Sequence, residues 1–257
     1  TTEIYTLSLH DALPIFFKRG LVEPEDDLRD TNPATNPELL DALAKHFIES
    51  GFDLKSVVRV ITQSQTYQLS EIPNEHNAVD RQNFSHFYPK RLQAEVLLDA
   101  IDGLTGAKTD FADLPPGTRA IALPDNSYNR AAPFLKVFGR PESASVCECE
   151  RIQSSSLAQS LHLMNSAEVK GKLAVAGGRA ERLSKPEVPV TDGIREIYLT
   201  AFSREPDGEE LSIAEDFINK PRTDAQDKPI DPARAKRMAY EDLLWAIMST
   251  KEFLYNH

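Results

Sequence analysis

The chain has 257 residues, of which 40% are hydrophobic and 27% are charged, and its formal net charge is −11. This length can bury the core of one or two domains, and the composition is that of an ordinary globular protein. The acidic balance argues against broad binding to nucleic acid or to anionic membranes, because both require a positive field. The sequence contains no apolar run near the roughly 20 residues that a membrane span needs.

The first fifteen residues, TTEIYTLSLHDALPI, read as the translation of a widely used sequencing adapter. A match over this length does not arise by chance. We therefore expect Thr1–Ile15 to be foreign to the natural protein, whose own sequence is then Phe16–His257. The alternative is a native amphipathic arm.

Helical periodicity dominates the chain from residue 36 onward. Asn36, Pro37 and Gly51 are typical of the N-cap, the first turn and the C′ position of a helix. A second helix, capped by Asp53, follows closely enough to form an αα-hairpin with the first. The side chains predicted to face inward are Leu39, Leu40, Leu43, Phe47, Ile48, Leu54, Val57, Val58 and Ile61.

After a polar loop over residues 69–87, a third helix is predicted over Arg91–Leu104. Arg91, Glu95 and Asp99 recur every four residues and are therefore expected to stack on one flank of it. Such a row is typical of ion pairs on a surface or at an interface. The alternative is a pair of carboxylates that face a cleft.

The middle of the chain concentrates chemically capable side chains. A short strand is predicted at Arg119–Leu123 and a short helix at Ala131–Phe138, and the stretch Phe134–Asn165 then ends in a helix over Leu157–Met164. Between the last two helices lie Cys147, Glu148, Cys149, Glu150 and Arg151. A helix over residues 166–175 and a candidate linker over residues 185–190 follow.

The last third is predicted to be helical again. Thr191 is expected to cap one helix, Asp207 and Glu210 to begin a second as a capping box, and Asp231 with the following proline to open the last. The predicted fold class is all-α, an irregular helical domain with long loops and at most a short β element. We expect a helical core over residues 16–184 and a C-terminal helical subdomain over residues 185–257.

Several chemistries are compatible with these residues. Thiolates at i and i+2 can share a metal ion, but zinc takes four ligands and the second half of such a site is not visible, so no metal is assigned. A buried thiol pair or a redox dithiol are the alternatives, and clustered carboxylates could perform general acid–base work. The favoured hypothesis is a structural polar cluster that orders the cysteine loop through arginine–carboxylate pairs. Its candidate members are Arg91, Glu95, Asp99, Arg140, Cys147, Glu148, Cys149, Glu150 and Arg151.

Six segments in fixed order resemble the domain of unknown function 1553, the C-terminal domain of many planctomycete and verrucomicrobial proteins. The resemblance covers essentially all of Phe16–His257, names no catalytic residue, and adds Asn165 and Trp245 to the motif positions. Leu98 departs from the family, since many relatives have arginine there. The first segment begins with RGLVEPEDDLRD and ends with TYQLS. The other five are YPKRLQAEVLLDAIDGLTG, FLKVFGRP, CECER, LAQSLHLMN and DLLWAIMSTKEFLYNH.

The resemblance implies the C-terminal module of an exported multidomain bacterial protein. In the family this domain usually follows the domain of unknown function 1549, and often a cytochrome c-type domain that carries its own haem. We therefore expect an accessory or interaction module, periplasmic or extracellular, whose partners are N-terminal domains outside this fragment, with no cofactor in the fragment itself. The alternatives are a hydrolase-type domain acting on carbohydrate through clustered carboxylates, and a metal or redox site at the Cys-x-Cys loop.

Overall fold

The structure, a computed structural model, describes residues 13, 16–22, 29, 31–125, 127–128, 132–141, 151 and 156–256. Within these residues the fold is mainly helical with one short two-stranded sheet, which confirms the predicted fold class. No helix among them combines the length and the apolar character needed to cross a membrane. The helices are α1 Pro37–Glu49, α2 Leu54–Gln63, α3 Ala94–Thr105, a 3-10 helix Ala120–Ala122, α4 Pro133–Val137, α5 Leu157–Asn165, α6 Ala167–Leu173, α7 Arg179–Leu183, α8 Val190–Phe202, α9 Gly208–Asn219, α10 Pro232–Met248 and α11 Lys251–Leu254, and the strands are β1 Lys90–Arg91 and β2 Tyr255–Asn256.

The chain divides into two compact units, one that ends at Lys90 and one that spans Arg91–Asn256. Helices from both sides of residue 184 contribute to the hydrophobic core of the second unit. The predicted domains, residues 16–184 and 185–257, stay a prediction.

The first unit is built on the predicted αα-hairpin of α1 and α2. Asn36 caps α1 by accepting a hydrogen bond from the Leu39 amide, and Asp53 caps α2 through the Lys55 amide. Each cap satisfies a backbone donor that a helix start leaves without an intrahelical partner. Gly51 turns the chain between the helices at a φ of 70°, a conformation that favours glycine. The core of this unit consists of Phe17, Leu21, Leu43, Ala44, Phe47, Val57 and Ile61, together with Leu13 from the segment that we expect to be foreign.

Four side chains of the hairpin that were predicted to face inward are exposed instead. Leu39, Ile48, Leu54 and Val58 are 41–57% exposed, so the prediction for these four is wrong. The core of the unit covers only the central stripe of each helix, and side chains on the flanks of that stripe meet solvent.

The second unit is organised around α3, whose Leu97, Leu98, Ile101 and Leu104 are fully buried. This helix packs against α4, α8 and the 3-10 helix. It begins at Ala94, three residues later than predicted, because the chain before it pairs as β1 with β2. Arg91 therefore lies in a strand and outside the helical row that its spacing from Glu95 predicts.

Local sequence signals set several helix starts in this unit. Asp207 and Glu210 form the predicted capping box at the start of α9, and Asp231 caps α10, which opens on Pro232. These signals act within one turn of the helix, so the helix starts can be predicted from the local sequence without the tertiary fold.

Two local predictions in this unit are wrong, and tertiary contacts explain both. Thr191 lies inside α8, whose N-cap is Pro189, and its hydroxyl donates to the Glu215 carboxylate on α9. The strand predicted at Arg119–Leu123 is the 3-10 helix, whose backbone amides are bound by Asp99. The helix α7 was not predicted at all.

Candidate functional site

Two arginines converge on Glu95, a buried carboxylate in the first turn of α3. The Glu95 side chain is 4% exposed, and its place at a helix N-terminus favours a negative charge. Arg140 Nε lies 3.0 Å from Glu95 Oε1. Arg151 donates from Nη1 to Oε2 at 2.8 Å and from Nη2 to Oε1 at 2.9 Å, the bidentate geometry typical of strong arginine–carboxylate pairs. Glu95, Arg140 and Arg151 form what we term the Glu95 clasp.

The clasp joins two separate points of the chain. Arg140 follows Gly139, which ends α4 at a φ of 91°, whereas Arg151 precedes α5. Both ends of the segment between the two arginines are therefore held at the same carboxylate. Joining the ends of a loop removes conformations that the free chain would sample. Glu95 thus fixes both ends of the segment in which Cys147 and Cys149 occur.

The clasp holds more positive than negative charge. Burial lowers the pKa of the Arg140 guanidinium, the charge of Glu95 raises it, and the nearby Arg151 lowers it again. Arginine stays protonated through shifts of this kind, so two cations share one carboxylate. Arg140 Nη2 also donates to the Asp125 carbonyl at 3.0 Å, which gives the buried cation a second acceptor.

Arg91, another predicted member of the cluster, binds the end of α4 and a glutamine that was not predicted. Its Nη2 donates to the Phe138 carbonyl at 2.9 Å, its guanidinium stands 5.6 Å from the Phe138 ring centroid, and its Nη1 donates to Gln159 Oε1. Gln159 is 5% exposed, accepts from the Ser156 amide at 3.1 Å and donates to the Val137 carbonyl at 3.2 Å. The Ser-x-x-Gln capping pattern at the start of α5 is the sequence signal that could have found it.

Asp99 serves a different segment from Glu95, although both lie on α3. Its carboxylate accepts hydrogen bonds from the amides of Ala120 at 2.7 Å and Ile121 at 3.2 Å, and lies 3.3 Å from Arg119 Nε. These bonds cap the 3-10 helix, since they satisfy backbone donors at its start. The predicted row on α3 therefore contains two carboxylates with separate structural roles.

Among the predicted site residues, the structure brings together Glu95, Arg140 and Arg151. Cys147, Glu148, Cys149 and Glu150 lie outside the described residues. Within the part of the chain that is described, no group of three or more His, Cys, Asp or Glu side chains could hold a metal ion.

The contacts of Glu95 and Asp99 suit structural roles better than proton transfer. Both oxygens of each carboxylate accept hydrogen bonds from protein groups, whereas a general acid or base needs an oxygen within reach of a substrate. This geometry gives no support for a catalytic role of Glu95 or Asp99.

A separate feature is the apolar surface at the turn of the α1–α2 hairpin in the first unit. Ile48, Leu54 and Val58 are 44%, 57% and 41% exposed, and we term these three the hairpin patch. Leu39 and Val60, each 42% exposed, border an apolar cavity of about 130 Å³ in the same unit. Exposed apolar side chains grouped on one surface are typical of interaction sites.

Comparison with known proteins gives one match. The model of the PSD1 family, described as a protein of unknown function (DUF1553), matches residues 14–218. No curated protein and no solved structure shows significant similarity to the chain.

Proposed function

The chain belongs to the DUF1553 family of proteins of unknown function, and we propose that it serves as an accessory interaction module that docks another domain through the hairpin patch. The observation that carries this proposal is the exposure of Ile48, Leu54 and Val58 on two otherwise well-formed helices. Burying a side chain of this kind contributes about 1.5–3 kcal/mol. A partner domain that covers the patch would recover part of that free energy.

The family resemblance supports the identity of the partner. In this proposal the chain is the C-terminal part of a longer exported protein, and the docked domain lies on its N-terminal side in the same polypeptide. The protein works in the periplasm or outside the cell, and any haem is carried by another domain. A module of this kind needs no catalytic group, which agrees with the structural roles of Glu95 and Asp99.

Hydrogen exchange tests the proposal directly. The amides of α1 and α2 are compared in this chain and in the longer natural protein, where we expect them to exchange more slowly because the docked domain covers the patch. Leu54→Ser with Val58→Ser should abolish that difference in the longer protein. Ile213→Ser on α9 is the matched control, because Ile213 is also helical and 63% exposed but lies in the other unit.

Equal exchange of α1 and α2 in the two proteins would overturn the proposal. A difference that survives Leu54→Ser with Val58→Ser would also count against it, since the protection would then come from another surface.

A further inference from the structure

Two exposed cations border the hairpin patch on α2. Lys55 and Arg59 are four residues apart, as are Leu54 and Val58, so the helix presents an apolar row beside a basic row. Neither cation forms an ion pair with any residue that the structure describes. The basic row is thus available to a partner.

The carboxylates of the hairpin are engaged elsewhere or lie at its far end. Asp53, the nearest one to Lys55 in sequence, caps α2 by accepting a hydrogen bond from the Lys55 amide at 2.9 Å. Lys45 on α1 is paired with Glu49 at 3.8 Å, so that carboxylate is already engaged. Glu38 and Asp41 lie in the first half of α1, which is the end of an antiparallel hairpin away from the turn.

This inference rests on the proposed function: we propose that the docked partner presents to the hairpin patch a helix that carries both carboxylates and apolar side chains. Charge complementarity carries this inference. Carboxylates four residues apart on a partner helix would face Lys55 and Arg59, while apolar side chains between them would cover Leu54 and Val58. An anionic membrane is the less suitable ligand, because lipid surfaces are bound by clusters of about 4–8 cations and this row has two.

Two synthetic helical peptides with one shared apolar face provide the probes. One carries glutamate at i and i+4 beside that face, and the other carries lysine there. We expect this chain to bind the acidic peptide at least about tenfold more tightly by fluorescence anisotropy, a difference that corresponds to about 1.4 kcal/mol. The preference should weaken at high salt, since the charges involved are exposed.

Charge reversal at Lys55→Glu with Arg59→Glu should reverse the preference between the two peptides. Lys170→Glu with Arg234→Glu is the matched control, because these two cations are also exposed and helical and the change in net charge is the same. The control should leave the preference unchanged.

Equal binding of the two peptides would overturn the inference, as would an acidic preference that the Lys55→Glu, Arg59→Glu variant retains. Binding of the chain to phosphatidylglycerol vesicles, lost in that variant and without any peptide preference, would overturn it in favour of a membrane surface. If the hairpin is nevertheless protected in the longer protein, the docking face stands and only the acidic partner is wrong.

Discussion

Removal of the Glu95 carboxylate is the sharpest test of the clasp. Glu95→Ala leaves two guanidinium groups, 2% and 11% exposed, without the anion that both of them contact. Breaking a buried pair by removing one partner costs about 3–5 kcal/mol, because the remaining charge stays buried. We therefore expect Glu95→Ala to lower the free energy of unfolding of the second unit by about 3–5 kcal/mol.

The assay can be confined to the second unit. Trp245 is the single tryptophan, and its Nε1 donates to the Leu163 carbonyl within that unit at 3.1 Å, so its fluorescence reports the unfolding of this unit. Glu209→Ala is the matched control, since Glu209 also lies in the first turn of a helix but is exposed. Its loss should stay below about 1 kcal/mol.

A double-mutant cycle decides whether the clasp acts as a unit. The free-energy losses of Glu95→Ala and Arg151→Ala should sum to more than the loss of the double variant, by about 0.5–3 kcal/mol. Strictly additive losses, or a Glu95→Ala loss equal to that of Glu209→Ala, would show that the three side chains do not stabilise the protein as a unit.

Four further experiments give separate outcomes. Asp99→Ala should lower stability by about 1–2 kcal/mol, because two amides of the 3-10 helix lose their acceptor; chemical denaturation beside the exposed control Asp110→Ala checks this. Gly193→Ala should cost about 1–3 kcal/mol, since the added Cβ would lie 2.6 Å from the Tyr240 hydroxyl, and Tyr240→Phe should relieve part of that cost in a double variant. The Tyr240 hydroxyl finds no hydrogen-bond partner among the described residues, so Tyr240→Phe alone should not destabilise the protein. Burial raises the pKa of Tyr240 to about 12, so the free energy of unfolding of the wild type should fall as the pH rises from the ordinary tyrosine value near 10 towards 12, and that of Tyr240→Phe should fall less; chemical denaturation across this pH range would check it. Elemental analysis of the purified chain should find no stoichiometric metal, and one metal per chain that Cys147→Ser removes would establish a metal centre instead.

Local signals made part of the fold predictable from sequence. The caps at Asn36, Asp53 and Asp207 act on amides within the same helix turn, and the structure places them as predicted. The exposed flanks of α1 and α2 were not predictable, because periodicity locates an apolar stripe but not how much of it a neighbouring element covers.

The candidate site depended on longer-range contacts. Glu95 and Arg151 were both named as candidates, yet they lie 56 residues apart, and no spacing rule reveals that Arg140 shares the same carboxylate. Asp99 illustrates the converse, since its regular spacing from Glu95 suggested a shared role while its partners lie on another segment. The sequence indicated which side chains could form ion pairs, but the tertiary fold determines which of them are partners.

The charges of the Glu95 clasp are better explained by a role in holding the ends of the segment over residues 141–150 than by a contribution to stability. Replacing a buried ion pair with apolar side chains of similar volume is often neutral or stabilising, so stability alone does not require Glu95 and its arginines. The simultaneous change Glu95→Leu, Arg140→Met and Arg151→Met should therefore leave the unfolding of the second unit, followed by Trp245, close to that of the wild type. It should nevertheless accelerate cleavage by a glutamate-specific protease within residues 141–150, because the two ends of that segment no longer share a carboxylate. Cleavage at the wild-type rate, with stability retained, would show that the clasp does not constrain the cysteine segment.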